Sequence, residues 1–443
     1  MSVRRGIRIR DPIHGTLRFD DDELKVVDHR SFQRLRWIKQ LGLADLAFPG
    51  ATHTRYAHGL GTSHIATRMF DWVSRDFELL PRERRRLRTT VRLAALAHDL
   101  GHAPLSHTTE SFMPPVSALG IERWALDPAG RRATHEDFTL KILTDSDLTD
   151  LIRRRFRDRD IEPEDIAALV AGRWPTDSTN RYVLGGRNWM PILRQCVSSE
   201  LDADRMDYLL RDSYFAGVPY GRYDLDWLIE NLVAVELGRD LHLGLNARAS
   251  FGFEDYLLSR YHMFLSVYFH HVPIGYELML ARFQEEAGDE LRFPASVDEF
   301  MECDDLFLYG RLKASKNPWA RRIVERRGYR LLVEQKETAE GTGDVPAMDF
   351  GRLLDDLDAS GIPALVHSVE GRLSKYFTPT GSRPPTAETD PQIYVLEEDG
   401  RPVPIEEYTP LYRRYAGAIS IQRVYVEPDH LDRARTLIRR PLT

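Results

Sequence analysis

Hydrophobic positions recur at helical spacing through most of the first three hundred residues, and strand-like alternation is confined largely to the C-terminal third. In SFQRLRWIKQ, Phe32, Leu35 and Ile38 fall three apart while Gln33, Arg34 and Arg36 take the opposite face, which predicts a helix over 31–40. Residues 60–80 and 82–100 read the same way, the second closing on the apolar run VRLAALAHDL before Gly101. Further helices are predicted over 135–144, 147–156, 163–171, 191–212, 225–232 and 253–270.

The texture changes after about residue 330. ETAEGTGDVPAM and GSRPPTAETDPQ have little to bury and read as exposed connections. Around them come a helix over 349–360, the alternating segment ALVHSVEGRLSKYF, a strand-turn-strand in QIYVLEEDGRPVPI, a strand in SIQRVYVE, and a closing helix in DHLDRARTLIRR capped by Asp429. The expected architecture is mainly α, with a helical core over 1–330 and a smaller α+β lobe over 331–443. A chain of 443 residues also exceeds the ~250–300 residues over which one core grows efficiently.

With 42% hydrophobic and 29% charged residues the chain has the composition of a globular protein. Its net charge of −7 argues against a protein that coats nucleic acid, although local basic clefts remain compatible with it. Cys196 and Cys303 are the only cysteines and lie far apart, so neither a disulfide framework nor a Cys-rich zinc site is implied, and a reducing cytoplasm is expected. No apolar run has the length or placement of a signal peptide or a membrane span, so no membrane association is expected.

The chemistry concentrates in a few segments. His98 and Asp99 end an otherwise Val/Leu/Ala helix, where titratable groups are costly to bury without partners. Such a pair is either a hydrogen-bonded tie between helices or part of a metal site, with His102 one turn on facing the same cleft. His58 in GATHTRYAHGLGTSH and Asp204 in SSELDADRMDYLLRD would complete a set of imidazoles and carboxylates suited to Mn, Mg, Fe, Ni or Zn, with coordination positions left open for catalysis.

RDPIHG at 10–15, SFQRLRWIKQLG at 31–42, GATHTRYAHGLGTSH at 50–64, LAHDLGHAPLSH at 96–107, THED at 134–137 and LDADRMDYLLRD at 201–212 together resemble the HD-domain phosphohydrolases. The likeness is specifically to the deoxynucleoside triphosphate triphosphohydrolases of bacteria and of animal innate immunity, and weaker likeness covers most of the chain. It implies an HD-domain helical core and hydrolysis of deoxynucleoside triphosphates (dNTPs) to deoxynucleoside and inorganic triphosphate. It also implies His58, His98, Asp99 and Asp204 as ligands of one divalent ion, and leaves room for a second.

By the same resemblance His107 and Glu110 form the acid-catalysis pair, and His102 and His135 line the pocket beside them. Arg55, Arg205 and Arg260, with Tyr268 and His270, are implied as contacts to the triphosphate end. Asp204, Tyr208 and Asp212 recur every four residues and so share one helix face; the resemblance implies Tyr208 and Asp212 as contacts to the sugar. Gln40 and Leu41 are implied as the wall that tests the 3′-hydroxyl and excludes a 2′-hydroxyl. Asp28, Gln33 and Arg36 match an activating-nucleotide site, with Arg10 departing from the family pattern there, and His271 stands where a phosphate-contacting lysine is usual. The family further implies homo-oligomers, tetramers or hexamers. Two rival readings keep part of this: an HD phosphohydrolase acting on another nucleotide or a nucleic-acid phosphoester, and a nucleotide-sensing scaffold.

Overall fold

A computed structural model describes residues 6–125, 130–175, 177–288, 291–338, 348–372, 393–409, 411 and 418–438. GSRPPTAETDPQ, most of ETAEGTGDVPAM and the end of ALVHSVEGRLSKYF lie outside the described residues. The fold is mainly α. Its centre is the helix α1 (Arg55–Val73), packed on α2 (Pro81–Ala97) and on α4 (Ala203–Ala216), with α3 (His135–Thr144) closing over the end of α2.

Local chemistry sets these boundaries. Pro81 opens α2, and Glu83 accepts the Leu80 N–H. From Leu87 to Ala97 nearly every α2 side chain is buried, and Ala94, Ala95 and Ala97 let neighbouring helices come close. Thr134 caps α3 and Asp202 caps α4 through their side chains.

The helices expected over 135–144, 147–156 and 163–171 are found at those bounds. That over 191–212 is two, Met190–Val197 and α4, because Asp202 accepts the N–H groups of Ser199 and Arg205 and breaks the chain between them. The helix over 31–40 is a short turn, Arg30–Gln33, then a 3-10 turn, Arg34–Trp37. Beyond it the backbone is extended, Lys39 bridges Thr54, and the Gln40 N–H donates to His53 O at 3.0 Å. The segment over 253–270 is α5 (Ser250–Met263) followed by a π turn, Phe264–Tyr268.

Among the described residues three hairpins escape the helical reading of the first three hundred residues: β1 (Ile7–Asp11) with β2 (Gly15–Phe19), Val183–Leu184 with Arg187–Asn188, and Leu232–Leu237 with Asp240–Asn246. Tyr394–Leu396 and Pro402–Pro404 form the strand-turn-strand expected from QIYVLEEDGRPVPI, yet they extend the sheet of the helical part, Tyr394–Leu396 pairing in parallel with Asp240–Asn246 and Pro402–Pro404 forming the edge. Arg330–Thr338, Ala418–Val426 and Ala364–Arg372 make a separate antiparallel sheet with Ala418–Val426 in the middle. Phe350–Ala359 and Leu431–Ile438 cover one face over Leu353, Leu357, Val424 and Val426, and Tyr425 of the other face joins the main core. Asp429 lies within the turn Pro428–His430 that precedes the closing helix.

Candidate metal centre and active site

Helix ends bring His58, His98 and Asp204 to one point, their ligand atoms all within 4.8 Å of one another, with Asp99 beside them. His58 sits in the first turns of α1, His98 caps the C-terminus of α2 with Asp99 next, and Asp204 lies in the first turn of α4. His58 Nε2 is 2.9 Å from Asp204 Oδ1 and 3.7 Å from Asp99 Oδ2. His98 Nε2 is 3.3 Å from Asp99 Oδ1 and 3.5 Å from Asp204 Oδ1, is buried, and makes no hydrogen bond. The two rings meet edge to face at 5.4 Å.

The far side of each ring is committed. His98 Nδ1 donates to Ala95 O at 2.8 Å, and His58 Nδ1 lies 2.8 Å from Asp207 Oδ2. Both rings therefore turn Nε2 inward, the nitrogen that would ligate a metal once the cation takes the place of a proton. Against burial, the carboxylates of Asp204 and Asp207 hold His58 up at about 10. His98 is raised against burial by Asp99 and Asp204. The pocket calls for positive charge, and a divalent ion between these donors supplies it, so the residues fit the group.

Asp207, absent from the residues that the motifs single out, is the hub behind this set. Fully buried, it takes His58 on Oδ2, His14 Nε2 on Oδ1 at 2.6 Å, and Arg211 on both oxygens at 2.8 and 2.9 Å. Arg211 Nη1 continues to Asp11 Oδ2 at 2.9 Å, and Asp11 Oδ1 accepts the N–H groups of Ile13 and His14. Room for the pair comes from Gly61, three residues after His58 on α1. A Cβ there would stand 1.9 Å from Asp207 Oδ1 and 2.4 Å from Arg211 Nη2. The GLG of the α1 motif and the 204/207 spacing, which puts both aspartates on one face, are the signals that could have located it.

A second group of histidines adjoins the first. His102 is buried, 3.3 Å from Asp99 Oδ1, and stacks on His135 at 3.9 Å; His107 meets both rings edge to face and is the exposed member. Gly101 permits this, since a Cβ on it would lie 2.1 Å from His135 O. Glu110 grips His135 rather than His107. Its Oε1 takes the His135 N–H at 2.8 Å and Nδ1 at 2.6 Å, whereas Oε2 stands 3.5 Å from His107 Nδ1. Burial opposes a charge on His135, and Glu110 overrides it, raising His135 to about 9. Burial, with Arg55 and His135 nearby, drives His102 well below its ordinary value.

The arginines are all engaged. Arg55 Nη1 meets Asp99 Oδ2 at 2.5 Å and its Nε donates to Ser106 Oγ at 2.7 Å; Arg205 Nη1 meets Asp202 Oδ2 at 2.5 Å; Arg260 Nη1 meets Glu200 Oε2 at 2.6 Å. Arg205 Nε and Arg260 Nε are buried with no hydrogen-bond partner.

Asp212 accepts from Tyr268 Oη at 2.8 Å on Oδ2, and His53 Nε2 lies 2.8 Å from Oδ1. Tyr208 lies between the rings of His58 and Tyr268, at 6.5 and 6.0 Å. Gln40 is buried with Oε1 unpaired, and Leu41 packs half-buried beside the core. His270 caps the helix His271–Ala287 and stacks on His271, where its charged neighbours are Arg423, Glu334 and Lys336. Gln33 joins Arg36 at 2.7 Å, Arg36 covers Tyr56, and Asp28 ends the helix Asp21–Val27. Arg10 reaches only Thr16 among the described residues.

Residues 224–346 match the family model described as HD associated region. An uncharacterized protein of Methanocaldococcus jannaschii is 31% identical over 73% of this chain and 59% of its own length. The deoxynucleoside triphosphate triphosphohydrolase SAMHD1 homolog of Dictyostelium discoideum is 30% identical over 70% of this chain and 55% of its own. The chain thus spans somewhat over half the length of these curated relatives. A crystal structure of a hypothetical protein from Aquifex aeolicus superposes with a TM-score of 0.73 at 28% identity, covering 98% of this chain and 100% of that one. No helix among the described residues is long and apolar enough to cross a membrane.

Proposed function

Because this chain belongs to the HD-domain, dNTPase-like family, we propose that it is a metal-dependent phosphohydrolase that cleaves dNTPs between sugar and phosphate. The observation that carries this reading is the convergence of His58, His98 and Asp204, the two imidazoles turned inward by their outer partners and Asp99 next to them, beside a histidine cluster with one exposed member. His58, His98, Asp99 and Asp204 hold the ion. When bound it supplies Lewis-acid polarisation of a phosphoryl group and a lowered pKa for water.

The side chains do the rest. Arg55, Arg205 and Arg260 exchange their carboxylate partners for phosphate oxygens, a fair exchange for bidentate guanidiniums. Asp212 and Gln40 receive the sugar, and the unpaired Gln40 Oε1 is the kind of acceptor that a substrate hydroxyl satisfies. Water adds to the α-phosphorus, the bond to the 5′-oxygen breaks, and His107 delivers the proton that this oxygen needs. Glu110 fixes His135 against His102, which keeps the cluster in register.

Incubation with each dNTP and Mn²⁺ or Mg²⁺, with products separated by chromatography, is expected to release deoxynucleoside and triphosphate. Pyrophosphate or a monophosphate as product overturns the reading. Assembly into tetramers or hexamers and activation at Asp28, Gln33 and Arg36 belong to the same proposal. Light scattering with and without GTP tests them, and a particle of unchanged mass would count against nucleotide-driven assembly.

A further inference from the structure

His107 is carried by an unusual turn. Leu105 and Ser106, both buried, lie consecutively in the left-handed region at φ 56° and 61°; among the described non-glycine residues only Asp160 and Arg326 share a positive φ. Neither leucine nor serine favours this region, and two in succession persist only where the surroundings over-determine them.

The surroundings here are specific. Leu105 N–H donates to Asp305 Oδ1 at 2.7 Å, and the other Asp305 oxygen accepts the Lys39 N–H at 3.0 Å. Ser106 Oγ donates to Lys39 O at 2.8 Å and accepts from Arg55 Nε at 2.7 Å. Both sides of Lys39 are thus tied to the turn, and the next residue is Gln40. Arg55 carries the connection on to Asp99. Asp305 is buried at the head of α6 (Asp305–Ala314), two hundred positions along the chain. It touches none of the metal-type donors, and neither of its two backbone bonds is needed to start α6, which Asp304 caps.

We propose that Asp305 is a positioning residue for the proton donor: by clamping Leu105 and Lys39 to the head of α6 it imposes the left-handed turn that presents His107. The inference rests on the reading of His107 as the donor to the leaving oxygen. A clamp of this kind acts on the chemical step and leaves substrate binding largely alone, since a misplacement of about 1 Å can cost about 100-fold in rate.

The test compares the wild type, Asp305→Asn, His107→Ala and the double variant as full chains. Asp305→Asn keeps the volume and one acceptor oxygen. It is expected to lower kcat for triphosphate release by about 10- to 100-fold with KM within about twofold and bound metal unchanged. Added to His107→Ala it should cost nothing more. Amide hydrogen exchange should speed up at Leu105 and Lys39 and stay unchanged in α2. An equal kcat loss in the His107→Ala background, or an unchanged Leu105 amide, overturns the proposal. Should Asp305→Asn fail to fold, Ser106→Ala releases the same turn from Lys39 and must lower kcat and speed exchange at the Leu105 and Lys39 amides; its KM is no readout, because Ser106 also holds Arg55, and an unchanged kcat overturns the proposal. If the wild type releases triphosphate from no dNTP, the substrate reading fails, and the Leu105 exchange still decides whether the clamp exists.

Discussion

His58 and His102 are both buried imidazoles beside Asp99, yet they are driven in opposite directions. Burial presses both toward the neutral form. Asp204 and Asp207 overcome it at His58, while at His102 Arg55 and His135 reinforce it. The inner half of the site therefore carries surplus negative charge and accepts a cation. The outer half pairs its charges locally, Arg55 with Asp99 and His135 with Glu110, and keeps an exposed imidazole at its edge. On the function proposed above, the site is thus split into a part that must not move and a part that must exchange protons and partners with a ligand.

If that division holds, substitutions on the two sides should fail differently. The largest effect is expected from His107→Ala, about 10²- to 10⁴-fold in kcat, the range for a lost general acid. Its melting temperature should hardly change, because the side chain is 65% exposed. A large loss of stability would place His107 in the structural half.

Asp207→Asn tests the opposite side. Metal affinity should fall by about 10- to 100-fold, the usual cost of losing a partner behind a ligating histidine, measured by titrating metal into the apo protein. Stability should fall as well, since Arg211 loses one of its two buried counter-charges and keeps only Asp11. Retained affinity would mean that His58 is oriented without Asp207.

A third expectation concerns the clamp behind the outer half. Burial lifts Asp305 to about 6 from an ordinary 3.8, although the N–H groups of Leu105 and Lys39 pull the other way. The folded chain therefore holds this proton more tightly than the unfolded one. That contribution to stability is complete below about pH 4 and is lost as the pH rises through about 6, a change of about 3 kcal/mol. Asp305→Asn has no such proton, so its stability deficit in urea titrations should be about 3 kcal/mol smaller at pH 7 than at pH 4. A gap that does not change with pH would remove Asp305 from the titrating groups.

The smallest effect contrasts two helical glycines. Gly61→Ala must displace Asp207 and Arg211 and should cost about 1–3 kcal/mol together with metal affinity. Gly310→Ala, in α6 with no atom within 4 Å of the added carbon, should gain about 0.5–1 kcal/mol and leave metal binding alone. Equal thermal shifts in the two variants would erase the special place of Gly61.

Much of the helical frame was legible because local signals fix it. Thr134 and Ser146 cap their helices, and Pro163 opens a third that ends at Gly172, so those bounds follow from short-range chemistry. The break at 198–202 was missed because Asp202 sits inside an otherwise continuous helical pattern, and its capping role depends on which backbone N–H groups its side chain accepts. The β1–β2 hairpin was missed because each strand has only five residues and arginines fill its outer face. Within the site, the motifs named His58, His98, Asp99 and Asp204, and the fold brings these four together. His14, His53 and Asp305 carried no spacing of their own, and their roles exist only through partners many tens of residues away. Asp207 did carry a local signal, its spacing from Asp204 and from Arg211, but its hold on His14 and His58 reaches across the chain.

The tie from Asp11 through Arg211 and Asp207 to His58 joins the beginning of the described chain to its middle. During synthesis the first hairpin and the HD segment emerge long before α4. Until residue 211 has left the ribosome, nothing neutralises or aims the ligand side of α1. Closing so long a loop is slow compared with forming the helices themselves. The pocket is therefore completed late, after the helices that carry its first histidines.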